Sequence, residues 1–122
     1  MGYRSDVAVV IYGDARSNND KYELIKVLMN TTFKDVLAEN EDCATWHDNA
    51  HVLEFNMEDV KWYDSYPEVD RFMHMLAEIG DIEGLNYEFM RVGEDADDIE
   101  ATQGGMFVEY ILSVTRSIRV DL

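Results

Sequence analysis

The feature that most constrains this chain is residues 7–12, an unbroken apolar run rich in β-branched side chains. β-branched residues favour strands, and a strand without alternating polar positions has no face suited to water. The run therefore predicts a β-strand buried on both faces, and Gly13 and Asp14 predict its end. Any fold for the other residues has to be arranged around this strand.

A helical pattern follows at about residues 20–39. Polar residues at 17–20 offer candidates for the N-cap of this helix. Residues 30–32 are poor helix formers in sequence, so we expect a break there, with Thr32 capping the second piece. The apolar side recurs at three- and four-residue spacing, at Tyr22, Ile25, Met29, Phe33 and Val36.

A second amphipathic helix is predicted to begin at Pro67, where the missing N–H costs nothing. Ser65 is the expected N-cap, and Glu68 stands three residues later, as a capping box requires. Gly80 is expected to end the helix. The apolar side is formed by Val69, Phe72, Met73, Leu76 and Ile79.

Four further strands are predicted from alternating apolar patterns. Residues 51–57 and 60–63 are expected to form a hairpin around a tight turn at Glu58 and Asp59. Residues 85–92 and the long stretch 106–114 supply the last two strands. The element order is therefore β-α-β-β-α-β-β.

This order predicts a single α+β domain over residues 1–122, with a mainly antiparallel sheet and two helices on one face. The first six elements have the split β-α-β arrangement of ferredoxin-like folds, and the seventh adds a strand. A chain of 122 residues that is 47% hydrophobic can bury one ordinary core.

The charge is unevenly distributed. The chain carries a net charge of −16, of which −12 falls in residues 54–100. Such a field repels nucleic acid and anionic membranes and attracts basic protein surfaces or cations, although solubility alone is the simpler explanation. No apolar run is long enough to span a bilayer, and the single Cys43 fits a reducing cytosol, so we expect a soluble cytoplasmic protein.

An acidic segment follows the predicted strand 85–92. Clustered carboxylates can bind Ca²⁺ or Mg²⁺, but this spacing does not match an EF-hand, so a solvated loop or a contact surface for Arg and Lys is favoured. Alternatively, one carboxylate pairs with Arg4 or Arg91 and ties the loop to the sheet. The carboxylates are Glu94, Asp95, Asp97, Asp98 and Glu100.

Other candidate chemistry is weaker. Cys43, His47 and His51 are spaced by four and could bind zinc with Asp48, but this segment has little helical pattern, so unrelated loop residues are favoured. No serine lies in a nucleophile elbow, and no glycine-rich loop matches a phosphate cradle. We therefore predict no enzymatic activity, no metal and no cofactor.

Trp62, Tyr63 and Tyr66 form the most distinctive apolar group. Trp62 and Tyr63 would face opposite sides of a strand, so one of them is expected in the core. The other, together with Tyr66, could be an exposed anchor of the kind that dominates protein interfaces. A tyrosine packed on Pro67 is the structural alternative.

Three segments carry a resemblance to a known group of proteins: MGYRSDV at residues 1–7, KWYDSYPEV at 61–69 and RVGEDADDIE at 91–100. The chain resembles small, uncharacterised acidic proteins encoded by bacteriophages and prophages. The resemblance covers most of the chain in order. It implies a phage origin and a place in the host bacterial cytoplasm, and it implies no reaction and no catalytic residues.

These observations favour a protein that acts by binding. We expect it to inhibit a host bacterial protein by covering a basic surface, as an anti-defence, anti-CRISPR-like or DNA-mimicking protein would. No direct contact with nucleic acid or membrane is expected. The predicted partner-binding residues are Trp62, Tyr63, Asp64, Tyr66, Glu68, Glu94, Asp95, Asp97, Asp98 and Glu100.

Two other classes of function stay open. The chain could be a small-molecule or divalent-cation binding module, for instance one that sequesters a nucleotide signal, although basic residues for an anionic ligand are few. It could also have a structural or assembly role in a virion. Homo-oligomerisation is open in every case.

Overall fold

The computed structural model describes residues 2–95, 97–114 and 118–122. The chain folds as a sheet with helices on one side and a small second sheet on the other. The helices are α1 (Asn19–Asn30), α2 (Lys34–Glu39) and α3 (Pro67–Gly80), and Glu41–Cys43 forms a 3₁₀ turn. The strands are β1 (Ser5–Gly13), β2 (Ala44–His47), β3 (Val52–Val60), β4 (Leu85–Gly93), β5 (Ile99–Gly104), β6 (Leu112–Val114) and β7 (Ile118–Val120).

The main sheet has the strand order β2-β3-β1-β4-β5, and all neighbouring strands are antiparallel. The first four strands have the ferredoxin-like arrangement, and β5 is the added strand, next to β4. The predicted α+β class is therefore confirmed, and the order β-α-β-β-α-β-β holds through β5, with the first predicted helix divided into α1 and α2. β1 lies at the centre, as its unbroken apolar run requires.

One face of β1 is covered by the helices. Val7, Val9 and Ile11 are fully buried in a core that also contains Ile25 of α1 and Phe72 of α3. The main core is thus built from the apolar faces that the helical periodicity predicted. Burial of each such side chain contributes about 1.5–3 kcal/mol relative to exposure.

The other face of β1 is covered by the C-terminal segment. Ala8, Val10 and Tyr12 are buried against Ile111 and Leu112. The double burial predicted for this strand is confirmed, and β6 and β7 pair with each other on this side rather than joining the main sheet.

The predicted long strand 106–114 is wrong except at Leu112–Val114. The strand that pairs with β4 is β5, which comes from the acidic segment. Gly105 has a φ of 110°, and a Cβ there would lie 2.2 Å from Asn86 Oδ1, so only glycine allows the turn that takes the chain off the sheet. Met106, Phe107 and Tyr110 are consequently exposed.

The predicted hairpin is also wrong. β3 continues through Glu58 and Asp59, and its hairpin partner is β2, which lies in the segment around Cys43 and His47 that was expected to be a loop. Asp59 has a φ of 54° next to a register irregularity in the β1–β3 pairing, and its N–H donates to Asp6 Oδ1 at 2.9 Å. The turn signal therefore marks a local bulge within one strand.

The helix boundaries were largely predicted. The break between α1 and α2 and the limits of α3 at Pro67 and Gly80 are confirmed. The cap predicted for α1 within residues 17–20 is confirmed at Asn18, whose side chain accepts the Asp20 N–H. The expected caps of the other two helices are wrong: Phe33 takes the cap position of α2, and Tyr66 takes that of α3 without a side-chain bond. Tyr66 N–H bonds the Tyr63 carbonyl at 2.9 Å, and this turn displaces the capping box expected of Ser65.

Candidate functional site

The two sequence segments predicted to bind a partner lie at the same end of the sheet. β3 and β4 are both antiparallel to β1, and Ser5 pairs with Val60 on one side and Gly93 on the other. Because β1 separates them, the carboxyl ends of β3 and β4 lie about 10 Å apart. We call this region the acidic end, and its carboxylates are Asp6, Glu58, Asp59, Asp64, Glu94, Asp95, Asp97, Asp98 and Glu100.

Arg91 ties the acidic loop to the sheet, as the alternative interpretation of the sequence predicted. Its Nη2 and Nη1 atoms donate to the two oxygens of Asp98 at 2.7 and 3.0 Å, and its Nε donates to Glu100 at 3.0 Å. Tyr3 adds a bond of 2.6 Å to Asp98. The Arg91 bonds, and then the Tyr3 bond, lower the pKa of Asp98 to about 2.

The N-terminal residues Tyr3 and Arg4 bridge the loop to both strands. The Tyr3 hydroxyl accepts the Asp95 N–H at 3.1 Å, and the Arg4 N–H donates to Glu94 at 3.1 Å. Arg4 Nη1 also donates to the Asp59 carbonyl at 3.0 Å. The Asp95 N–H lowers the pKa of Tyr3, but the bond to Asp98, burial and the nearby carboxylates outweigh it and raise that pKa.

The remaining carboxylates of the loop are exposed. Asp98 and Glu100 are engaged by Arg91, and Glu94 accepts a backbone N–H. The side chains of Asp95 and Asp97 make no hydrogen bond or ion pair with any residue that the structure describes. The loop therefore presents the uncompensated charges of Asp95 and Asp97. Its backbone is held in place by the contacts of Glu94, Asp98 and Glu100.

All three side chains of the aromatic group are half-buried, so the expected division into one core ring and exposed anchors is not clear-cut. The Trp62 ring lies 5.7 Å from the Phe72 ring and 6.1 Å from the Phe89 ring, so Trp62 packs on the core and is not an exposed anchor. Tyr63 and Tyr66 form an edge-to-face pair at 5.0 Å and are both half-buried. Asp64 lies between them in the chain, and Glu68 is exposed in the first turn of α3.

The two candidate metal sets do not assemble. Within the ranges described, no three His, Cys, Asp or Glu side chains are placed to hold an ion together. His47 bonds Glu54 at 2.6 Å, and His51 bonds the Arg16 carbonyl at 2.5 Å. Each histidine is therefore occupied by a different partner, and Cys43 bonds a backbone carbonyl.

A pocket of about 740 Å³ at the opposite end of the sheet was not predicted. Arg16 lies in it, paired with Glu109 at 3.1 Å and bonded to the Ala50 carbonyl at 3.3 Å. Asp14 accepts from Asn86 at 2.8 Å, so the polar groups satisfy one another. No sequence signal could indicate this site, because Arg16 and Glu109 lie 93 residues apart in the chain.

A comparison of the chain with protein-family models, curated proteins and solved structures found no match. Among the helices of the described residues, none combines the length and the apolar character needed to cross a bilayer. The geometry of the acidic end is therefore the main basis for a functional interpretation.

Proposed function

We propose that this protein is a phage-encoded acidic binding protein that inhibits a host bacterial protein by covering a basic surface. A nucleic-acid-binding surface of a defence nuclease is a target of this kind. The observation that carries the proposal is the convergence of two acidic segments, distant in sequence, at one end of the sheet. The resemblance to phage proteins supports the viral origin.

The carboxylates would act together as a substitute for a row of phosphates. Lys and Arg side chains of the partner would pair with Asp95, Asp97 and their neighbours, and the surplus negative charge would steer the encounter. Such association is fast at low ionic strength and weakens as salt is added. Nucleic acid carries the same sign of charge and would be excluded.

The acidic loop is suited to this role because its backbone is already ordered. Arg91, Tyr3 and Arg4 hold it at both ends of the acidic segment, so little conformational entropy would be lost on binding. Half-buried Tyr63 and Tyr66 lie beside the same end and would add apolar contact at low entropic cost.

The test compares two pairs of neutral substitutions. Asp95→Asn with Asp97→Asn removes the exposed charges of the loop and leaves the Arg91–Asp98 contact intact. Asp81→Asn with Glu83→Gln removes the same charge at the same spacing from the opposite end of the sheet, where both side chains are exposed. Host proteins are captured from bacterial lysate at low salt, eluted with a salt gradient and identified by mass spectrometry.

We expect the retained partner to bind the Asp95/Asp97 variant about tenfold more weakly and the Asp81/Glu83 variant as tightly as the parent protein. The affinities are measured by titration at two salt concentrations. Equal weakening by both variants would show that only net charge matters, and no weakening by either would refute occlusion by the acidic end.

The rival class, a small-molecule binding module, rests on the 740 Å³ pocket, whose volume is typical of ligand sites. If it were correct, no host protein would be retained and a small molecule would co-purify with the chain. Its release on replacement of Arg16 or Phe107, and not of Asp95, would place it in that pocket.

A further inference from the structure

The two edges of the main sheet differ in how they are protected. β2 has four residues and lies between the Glu41–Cys43 turn and a turn at residues 48–51. β5 has six residues, all of which pair with β4 in unbroken register. Natural sheets shield exposed edges with short strands, bulges, prolines or lysines, and β5 has none of these.

β5 is also open on its faces. Ile99, Glu100, Ala101, Thr102 and Gln103 are all exposed, with Ile99 at 50% of its full accessibility. Within the described ranges, only β4 pairs with this strand, so its outer N–H and C=O groups face away from the sheet. A regular strand with an unpaired edge is suited to pairing with another strand.

The charge of this edge favours a second copy of the chain over a basic partner. Glu100 is the only charged side chain of β5, and Arg91 bonds it at 3.0 Å. A basic partner has nothing to attract it here, whereas another copy of this acidic chain meets no uncompensated like charge. Two copies of the chain can therefore approach through this edge without opposing uncompensated carboxylates.

We propose that two copies of this chain pair antiparallel through β5 and join their sheets into one continuous sheet. A two-fold axis perpendicular to the sheet places one residue opposite its own copy. An axis at Glu100 would oppose two carboxylates, so the axis lies at Ala101 or Thr102. If the axis lies at Ala101, Thr102 faces Glu100 of the second copy. If it lies at Thr102, Thr102 faces Thr102 of the second copy.

The two acidic ends do not meet in this arrangement. The two-fold axis reverses the strand direction, so the acidic ends point away from each other. Asp97 lies four residues from Ala101, or about 13 Å along the strand, and the two loops are separated by about 26 Å. This distance is several times the screening length of about 8 Å at physiological salt. The dimer would present two acidic ends in opposite directions.

The mass of the full chain in solution tests the proposal. Light scattering should give twice the 14.1 kDa of one chain, and added salt should leave the dimer intact or tighten it. This salt dependence is opposite to that of the proposed partner complex, so the two proposals can fail independently. A chain that stays monomeric at about 100 μM, where a micromolar dimer would be largely formed, overturns the dimer.

Substitutions on the two edge strands locate the interface. Thr102→Asp opposes a carboxylate in either register and should raise the dimer Kd about tenfold. Thr45→Asp, at an exposed threonine of β2, is the matched control and should leave it unchanged. Circular dichroism checks that both variants fold. Equal Kd values for the two variants would refute pairing through β5.

Disulfide trapping then determines the register. In a Cys43→Ser background, Ala101→Cys should cross-link if the axis lies at Ala101, and Thr102→Cys if it lies at Thr102. Thr45→Cys should form no cross-link under the same oxidation, although the chain still dimerises through β5. Cross-linking through Thr45→Cys alone would assign the interface to β2 and overturn the proposal.

Discussion

Two carboxylates, Asp98 and Glu88, have the same structural role but are stabilised by different interactions. Each accepts a tyrosine hydroxyl and thereby holds a chain segment against the main sheet. Asp98 is partly exposed and pairs with Arg91. Glu88 is buried, accepts the Tyr12 hydroxyl at 2.5 Å, and contacts no cation in the described part of the chain.

The difference lies in how each charge is compensated. Glu88 accepts the N–H groups of Ile111 and Leu112, each at 3.0 Å, and Tyr12 in turn accepts the Glu109 N–H at 2.7 Å. Neutral donors thus satisfy a carboxylate in the core, where loss of a donor is costly. At the acidic end, an ion pair in contact with water does the same for Asp98, and water and salt limit its strength.

The largest effect is expected from Glu88→Ala. This substitution leaves the Tyr12 hydroxyl and two backbone N–H groups without their acceptor and opens a cavity under the C-terminal segment. We expect a loss of about 3–5 kcal/mol in the free energy of unfolding. Chemical denaturation measures it, and amide exchange at Ile111 and Leu112 should accelerate. Unchanged stability and exchange would show that Glu88 does not hold the segment.

A smaller effect is expected from Tyr12→Phe. The ring remains, but Glu88 loses one donor and the Glu109 N–H loses its acceptor, for about 1–3 kcal/mol. A double-mutant cycle with Glu88→Ala measures the coupling, and additive losses would contradict a shared network. Burial first, and then the Glu88 bond, raise the pKa of Tyr12 in the folded state, so absorbance should show no titration of this phenol near its usual value.

The smallest effect is expected from Asp98→Asn, and it should depend on pH. The pKa of Asp98 is about 2 in the folded chain against an ordinary value of 3.8, so protons bind the unfolded state first as the pH falls. The stabilisation is complete above pH 4 and is lost as the pH falls through 2. The difference in melting temperature between parent and variant should therefore be full at neutral pH and vanish towards pH 2.

The comparison also has a control within the same molecule. Tyr12→Phe changes no carboxylate pairing with a cation, so its destabilisation should persist over the range in which that of Asp98→Asn disappears. If both differences vanish together, the acid response belongs to the whole fold rather than to the Asp98 contact.

Local sequence patterns predicted the elements whose causes are local. The apolar run of β1, the break after Asn30 and the start of α3 at Pro67 each follow from neighbouring side chains and backbone geometry. The convergence of the segments after β3 and β4 follows instead from the antiparallel pairing of both strands with β1. The errors arose where a sequence pattern is compatible with more than one strand pairing. The alternation at 106–114 suits a strand, but β5 takes the place next to β4 and leaves these residues outside the main sheet.

The sequence by itself determined the central strand, the α+β class and the concentration of acid in residues 54–100, because composition and periodicity depend on near neighbours. Only the tertiary structure decided which carboxylates are compensated. Glu88 and Asp98 look alike in the chain, yet one meets Tyr12 and backbone donors in the core and the other meets Arg91 and Tyr3 at the surface. Contacts across 76 and 95 residues depend on strand pairing, which local patterns do not encode.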